Sequence, residues 1–361
     1  MSQLTGIAAS HPLRTALLLS VIALAVAAVA AFFPPALQRT VTEAFVMLVV
    51  VIGLYVFCGN SGVFSFGHVA FMALGGYTSA ILTILPAKKQ VALQLPDWLT
   101  ALQLPVSIGG PVAVLFAGIV ALLVGLVFMR LRGIALPMAT FALLMIVHVV
   151  ALNWQAVTGG RQALVGLPRT TGLWTAFGYA VVALLVAALY DGTRRGLALR
   201  CSRESEVAAA ATGIDVERER LVSFVLSAMI VAAGGVLFAH FLGTMTANTF
   251  YLDLTFVTLT MLVVGGMRSL TGACAGVALV SVVSEIFRSV ERGIDIGGTT
   301  IAAPPGLQEI VLALILLIIL LTRPHGLVGD WELTLPRNIR ARPAPSASTG
   351  PESAEVVREG N

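Results

Sequence analysis

The sequence predicts an all-α fold, a polytopic transmembrane helical bundle with about ten apolar segments. Composition points to it first: 58% of the 361 residues are hydrophobic and only 11% are charged, whereas soluble proteins carry about 25% charged residues. The pattern agrees, because most of the apolar residues gather in runs of about 17–25, the length with which an α-helix crosses a bilayer. A surface this apolar requires lipid as its solvent.

The apolar segments follow one another along the chain, separated by short polar connections. They cover residues 16–33, 41–58, 66–85, 111–129, 134–152, 174–190, 221–242, 252–266, 270–287 and 306–322. The first exceeds the apolar core of a signal peptide, about 7–15 residues, and it ends in Phe-Phe-Pro-Pro, so we expect an uncleaved span. The eighth is short and lies only a few residues before the ninth, which makes it the weakest predicted crossing.

Basic residues predict the orientation, because they concentrate in cytoplasmic connections. With the N-terminus inside, fifteen Lys and Arg residues lie inside and seven outside. Both termini are therefore predicted to be cytoplasmic. The predicted division is a cytoplasmic N-terminus at 1–15, a transmembrane domain at 16–322 with a basic cytoplasmic loop at 191–220, and a cytoplasmic, largely disordered tail at 323–361.

Several classes of function are excluded by what the sequence lacks. Lys88 and Lys89 are the only lysines and neither follows glycine, so the chain has no phosphate-binding loop and we expect it to bind no ATP. Its His, Cys and carboxylate residues are not spaced as metal ligands. The arginines flank apolar segments and form no separate basic domain for nucleic acid. We therefore predict no catalytic residue, metal or cofactor in this chain.

The segment from Cys58 to His68, the motif segment, joins the second and third apolar segments and is rich in Gly, Ser and Asn. Such residues weaken helices, yet no charge marks an ordinary polar loop. One interpretation is a broken or re-entrant segment that lines a pathway, since irregular backbone at membrane depth needs protein or a water-filled cavity around it. The other is a tight cytoplasmic turn. The candidate pathway residues are Gly59, Asn60, Gly62, Ser65, Gly67 and His68.

The basic loop contains a second candidate, because residues 202–212 are strong helix formers and Gly213 is a suitable C-cap. Six arginines lie between Asp191 and Arg220. A short Ala-rich helix of this kind is suited to docking in a groove of a soluble ATPase, and the alternative is an ordinary solvated loop helix. The candidate coupling residues are Arg203, Glu206, Ala208, Ala209 and Gly213.

Three other ionisable residues fall near membrane depth, where such groups are functional candidates. His148 and His240 lie near the predicted ends of their segments, and Glu285 is positioned to pair with Arg288 at i,i+3. Gly272-x-x-x-Gly276 predicts close helix packing, either within the bundle or between two subunits.

These motifs together resemble those of the Liv-type permeases, closer to the LivM branch than to LivH. The resemblance covers roughly residues 40–330 and is carried by Gly59-x-x-Gly62-x-x-Ser65-x-Gly67-His68, Gly75-Gly76-Tyr77-Thr78, Leu131-Arg132-Gly133, Thr158-Gly159-Gly160, 206–213, Gly265-Gly266 to Gly272 and 323–329. Two positions depart from the family pattern: Arg268 replaces a small residue, and 161–163 replaces a small-acidic-Gly pattern.

The resemblance implies a permease subunit of an ATP-binding-cassette (ABC) importer in the bacterial inner membrane. It implies ABC ATPase subunits that bind the ATP, a second homologous permease subunit, a periplasmic substrate-binding protein and membrane lipid as partners, without nucleic acid. The implied substrates are branched-chain or related aliphatic amino acids. The alternatives are a urea or short-chain amide permease of the same family and an ion-coupled secondary transporter, although mid-membrane carboxylates are scarce here.

Overall fold

The computed structural model describes residues 2–93, 95–291, 294–296, 299–301, 304, 306–323, 326–329 and 331–333. Its α-helices are α1 Ser2–Ala31, α2 Pro35–Leu54, α3 His68–Thr83, α4 Pro86–Ala92, α5 Asp97–Ala101, α6 Val106–Phe128, α7 Ala135–Asn153, α8 Gln155–Thr158, α9 Leu173–Gly192, α10 Arg194–Glu204, α11 Glu206–Ala211, α12 Val216–Leu242, α13 Leu252–Gly265, α14 Leu270–Glu291 and α15 Leu307–Thr322. A π-helix, Tyr55–Gly59, continues α2, and a 3₁₀ helix, Ala247–Phe250, precedes α13. Most of the predicted tail lies outside the described residues.

The described helices confirm the predicted all-α membrane bundle. Each of the ten predicted apolar segments coincides with a helix, and eight helices in the described ranges are long and apolar enough to cross a membrane. Large apolar side chains of α6 point outward, as Leu123 and Val127 show with exposures of 62% and 64%. Lipid rather than water is the solvent that suits such a surface.

The two other helices of the ten, α3 and α15, have 16 residues each. Helix α3 lies at the centre of the bundle, with most of its side chains buried against α6, α7 and α12. A helix buried on all sides needs no lipid-facing stripe, which explains why α3 has the uniform apolar sequence of a core helix.

The connections between the long helices lie at the two ends of the bundle. At one end, which we call the opposite face, strand β1 (Leu164–Val165) pairs antiparallel with β2 (Thr244–Met245). The short hairpin β3 (Ile294–Ile296) and β4 (Thr299–Ile301) follows α14. At the other end, which we call the basic face, α10 and α11 join α9 to α12.

Glycines let α13 and α14 pack with their backbones in contact. A Cβ at Gly276 would overlap the carbonyl of Met261, and a Cβ at Gly265 would overlap the carbonyl of Gly272. The Gly272-x-x-x-Gly276 pattern is therefore used for packing inside this chain, as small residues are in membrane helix pairs.

Candidate coupling and translocation site

The motif segment interrupts the path from α2 to α3 at the basic face. Helix α2 passes into the π-helical turn Tyr55–Gly59, and residues 62–67 form an irregular connection before α3 begins at His68. Single π-helical turns inserted in α-helices are frequently found at functional sites. The structure therefore shows an interrupted helix and a turn at the basic face, and the pathway-lining role of the segment stays a prediction.

Serine hydroxyls of α12 satisfy carbonyl groups of the distorted turn. Ser223 Oγ donates to the Val56 carbonyl at 2.8 Å and Ser227 Oγ to the Gly53 carbonyl at 2.5 Å. Without water at this depth, a carbonyl left without a donor is costly. The π-helical turn is therefore held in place by α12.

The polar candidates of the motif segment are buried. His68 is 1% exposed, its Nδ1 lies 2.7 Å from Ser65 Oγ, and its Nε2 has no hydrogen-bond partner among the described residues. Phe57 and Phe224 place their ring centroids 5.5 and 5.4 Å from that of the imidazole. His68 is therefore packed against aromatic rings, and it does not line the cavity of about 420 Å³ that Gly59 and Gly62 line.

Glycines of the motif segment make close backbone approaches to other elements. A Cβ at Gly59 would lie 2.5 Å from the carbonyl oxygen of Met267, in the α13–α14 connection, and one at Gly67 would lie 2.5 Å from the carbonyl oxygen of Thr140. Gly62 has φ +72° and packs on the Arg203 side chain. Any larger residue at Gly59 or Gly67 would separate helices that now touch.

A buried carboxylate that sequence reasoning used only as a loop boundary connects the motif segment to α9. Asp191 is 2% exposed and accepts hydrogen bonds from Tyr55 Oη at 2.8 Å and Asn60 Nδ2 at 2.9 Å. Arg200 of α10 donates to the Asp191 main-chain carbonyl. We call Tyr55, Asn60, Asp191 and Arg200 the Asp191 cluster; it joins the π-helical turn to the basic loop.

The basic loop forms two short helices where the sequence predicts one. Thr193 caps α10, and Ser205 ends α10 and caps α11 by accepting from the Ala208 N–H. An extended residue with a free hydroxyl is suited to end one helix and begin another. Gly213 then takes φ +84° after α11, in agreement with its predicted C-capping role.

Charged residues of the loop contact both the motif segment and the α13–α14 connection. Arg203 Nη1 donates to the Gly59 carbonyl at 2.7 Å. Glu204 accepts from Arg203 at 3.3 Å and lies 3.8 Å from Arg268, so the residue that departs from the family pattern touches this loop. Glu206 pairs with Arg220, which is buried. These residues surround a cavity of about 420 Å³ at the basic face.

The candidate coupling residues of α11 divide between its inner and outer sides. Ala209 is buried and Glu206 faces Arg220, whereas Ala208 is exposed. Val207, which sequence reasoning did not select, is 82% exposed. We call the exposed residues of α11 the docking patch: Val207, Ala208, Ala210 and Ala211. The patch is apolar, small and free of charge, which suits close approach by another protein.

The other ionisable candidates have partners within the bundle. His148 stacks on Tyr251 with ring centroids 3.8 Å apart. His240 is buried, with its Nε2 2.8 Å from Ser79 Oγ and its Nδ1 2.9 Å from the Pro168 carbonyl. Glu285 lies 3.6 Å from Arg288, as the i,i+3 spacing predicts.

Known proteins similar to this chain include the LivM permeases of bacterial transport systems. The high-affinity branched-chain amino acid transport system permease protein LivM of Escherichia coli K12 is 26% identical over 321 residues, covering 80% of this chain and 68% of the relative. The LivM protein of Salmonella typhimurium LT2 matches equally, at 26% over the same shares. A probable LivH permease of Methanocaldococcus jannaschii is 30% identical over 158 residues, 42% of this chain and 47% of the relative.

No solved structure is a significant match to the chain. The family model described as the permease component of branched-chain amino acid transport systems matches residues 36–320, which contain the motif segment, the basic loop and every helix from α3 to α14. This chain is a multi-pass membrane protein that belongs to the permease component family of branched-chain amino acid transport systems.

Proposed function

We propose that this chain is the permease subunit of an ABC importer for branched-chain or related aliphatic amino acids. It lies in the bacterial inner membrane with both termini in the cytoplasm, so that the basic face is cytoplasmic. Partner ATPase subunits bind and hydrolyse ATP, a periplasmic binding protein delivers the substrate, and a second homologous permease completes the pathway. Family membership supports the substrate class, and the LivM and LivH names of the relatives support paired permeases.

One observation supports the coupling role above all others: the loop that carries the docking patch is bonded directly to the motif segment. Arg203 holds the Gly59 carbonyl, and Arg200 and Asp191 link the same loop to Tyr55 and Asn60. A partner that moves α11 therefore moves the end of α2. Rigid connection of this kind is what converts a docking event outside the membrane into displacement of helices within it.

The motif segment then acts as the cytoplasmic gate. Gly59, Asn60, Gly62, Ser65, Gly67 and His68 lie where α2 meets α3, and close backbone contacts shut the bundle there. A gate built from glycine contacts can open by small shifts, because few side chains must be rearranged. The substrate passes this point only after the loop has displaced α2.

The test is uptake of labelled leucine into proteoliposomes that contain the full complex, with ATP inside and binding protein outside. We expect saturable, ATP-dependent uptake with competition by valine and isoleucine. Glu206→Arg places a second guanidinium beside Arg220 and should abolish uptake without reducing membrane insertion. Glu217→Arg, the same charge change at an exposed residue of the same face, is the control and should transport normally.

The outcomes separate the alternatives. Competition by urea or short amides instead of valine would retain the importer and replace the substrate class. Uptake that follows a proton gradient and needs no ATPase would contradict the coupling role of α11. Normal uptake by the Glu206→Arg variant would refute the assignment of that residue to coupling.

A further inference from the structure

A cavity of about 230 Å³, lined by apolar and charged side chains, lies between α2, α13 and α14, toward the opposite face. Glu43 lies eight residues after the start of α2 at Pro35, and Glu285 lies six residues before the end of α14 at Glu291. With a rise of 1.5 Å per residue, they are about 12 and 9 Å from those helix ends. Both carboxylates therefore lie within their helices and away from the helix ends, and each side chain is 30% exposed.

The cavity has a mixed but mainly negative wall. Arg288 Nη1 and Nη2 lie 3.2 and 3.5 Å from the two carboxylate oxygens of Glu43, and Arg288 Nη1 lies 3.6 Å from Glu285. Asp253 adds a third carboxylate at the rim. Charges within a membrane protein are costly, and they mark ligand or ion pathways more often than they stabilise a fold.

Ser284, a residue of low exposure, also lines this cavity. Ser284 is 7% exposed, and its side chain makes no hydrogen bond within the described part of the chain. An unused hydroxyl beside an ion pair at this depth is suited to a ligand that brings its own donors or acceptors. The lining also contains apolar side chains, those of Met47, Leu254, Val257 and Met261.

We propose that this cavity binds the substrate itself, as an α-amino acid zwitterion, before the gate opens; this inference rests on the proposed importer function. The ammonium group lies between Glu43 and Glu285, the carboxylate accepts from Arg288 and Ser284, and the aliphatic side chain contacts the apolar wall. A zwitterion offers an ammonium group to Glu43 and Glu285 and a carboxylate to Arg288, so both ligand charges meet an opposite charge in a medium of low dielectric constant. A neutral amide or an isolated cation would lack one of these partners.

The volume favours a small ligand, because pockets for drug-sized molecules measure about 300–1,000 Å³ and this one is smaller. Gln308 of α15 and Thr249 of the 3₁₀ helix also line the cavity. The same helices α2 and α14 therefore carry a ligand cavity in one half and the gate in the other.

The experiment measures equilibrium binding of labelled leucine to the solubilised complex without binding protein. We expect saturable binding to the wild type, weakened about tenfold or more by Glu285→Gln or Arg288→Gln, the factor that corresponds to about 1.4 kcal/mol. Glu217→Gln and Arg161→Gln remove the same charges at exposed positions outside the cavity and should bind as the wild type does. Ser284→Ala, which leaves the ion pairs intact, should weaken binding by a smaller factor.

Two leucine analogues distinguish recognition from a structural ion pair. Arg288→Gln should weaken competition by 4-methylpentanoate, which lacks the ammonium group, and leave competition by 3-methylbutylamine, which lacks the carboxylate, unchanged. Glu285→Gln should weaken competition by 3-methylbutylamine and leave competition by 4-methylpentanoate unchanged. Equal effects on both analogues, or a lower unfolding temperature with unchanged leucine binding in Arg288→Gln, would make the pairs structural only. Absence of saturable leucine binding to the wild type would also overturn the proposal.

These results are separable from those for the importer itself. ATP-dependent uptake with no effect of the cavity variants would leave the proposed function standing and reject this site. Leucine binding that depends on Arg288 and Glu285, without ATP-dependent uptake, would retain the site and reject the importer.

Discussion

The two ends of helices α2, α13 and α14 differ sharply. At the basic face, Gly59 of the α2 extension packs on the carbonyl of Met267 in the α13–α14 connection, and Arg203 bonds to Gly59 from the loop. Toward the opposite face, the same helices separate around a cavity that contains Glu43, Glu285 and Arg288. One end is closed by backbone contact, and the other is open and charged.

This difference explains how a single set of helices can serve both access and closure. The backbone contacts that Gly59 and Gly67 make are short-range, so they are lost when a helix moves by a small distance. Charged side chains are long, and they keep a partner while helices shift. The closed end is therefore suited to act as a switch, and the open end is suited to hold a ligand during the change that alternating access requires.

The largest effect is expected when the closed end is forced apart by Gly59→Leu. Its Cβ would lie 2.5 Å from the Met267 carbonyl oxygen and 2.8 Å from the Tyr55 ring, both closer than real Cβ contacts allow. Leucine uptake by the reconstituted complex should fall by at least about tenfold, equivalent to about 1.4 kcal/mol in barrier height. Gly178→Leu is the control, since a side chain there meets nothing within 4 Å; normal uptake by the Gly59→Leu variant would show that this contact is not a gate.

The second-largest loss of uptake is expected from a change in the docking patch, which is connected to the closed end through the basic loop. Val207→Asp adds a charge to a residue that is 82% exposed, so the fold should be unaffected while docking of an apolar surface is opposed. Co-purification of ATPase subunits should decrease, and uptake with it. Ile134→Asp, at another exposed residue of the basic face, should retain both. Undiminished ATPase recovery with Val207→Asp would remove this patch from the docking interface.

A moderate effect on stability is expected from Tyr55→Phe, which removes one hydrogen bond from the Asp191 cluster. Hydrogen bonds to charged groups contribute about 1.5–3 kcal/mol, and the Tyr55–Asp191 bond is buried at 2.8 Å. The denaturation midpoint of the solubilised protein should decrease accordingly. Tyr179→Phe on the exposed side of α9 should leave it unchanged. Equal midpoints for the two variants would mean that the cluster contributes nothing to the closed end.

The helices could be predicted from the sequence, but the Asp191 cluster could not. Each apolar run coincides with a helix because hydrophobic length is a local property. Asp191 meets Tyr55 and Asn60 across separations of 136 and 131 residues, and no periodicity encodes such a pairing. One signal was available: Asp191 is the sole acidic residue between Asp97 and Glu204, and isolated intramembrane carboxylates are functional candidates.

The inner and outer sides of α11 were equally hidden from sequence reasoning. A six-residue helix of Glu, Val and four Ala has no apolar stripe from which to predict its buried side. The ion pair of Glu206 with Arg220, 14 residues later, decides the orientation and leaves Val207 outside. The pairing of Glu43 with Arg288 could not be predicted for a related reason: the two residues are 245 positions apart in the sequence.

The smallest effect is expected at Lys89, in the helical connection α4–α5 that belongs to the opposite face. Its side chain is buried and donates to the carbonyls of Leu102 and Leu99 at 2.5 and 3.4 Å, and burial lowers the pKa of its ammonium group. The unfolded chain, with a lysine pKa of about 10.4, then binds more protons than the folded one over the interval below that value. Stability should therefore rise as pH increases through the interval.

The Lys89 prediction is measured as the unfolding temperature of the solubilised protein between roughly pH 8 and pH 10, below the unfolded lysine pKa. Lys89→Met keeps the length of the side chain and removes the titrating group, so the wild type should gain stability relative to it as pH rises. Lys88→Met, beside it on the same helix, controls for loss of a positive charge and should follow the wild-type profile, since the titrating Lys89 remains. If the unfolding temperatures of Lys89→Met and the wild type changed in parallel with pH, the Lys89 ammonium group would be as well solvated in the folded protein as in the unfolded chain. The α4–α5 connection would then contribute no pH-dependent stability to the open end.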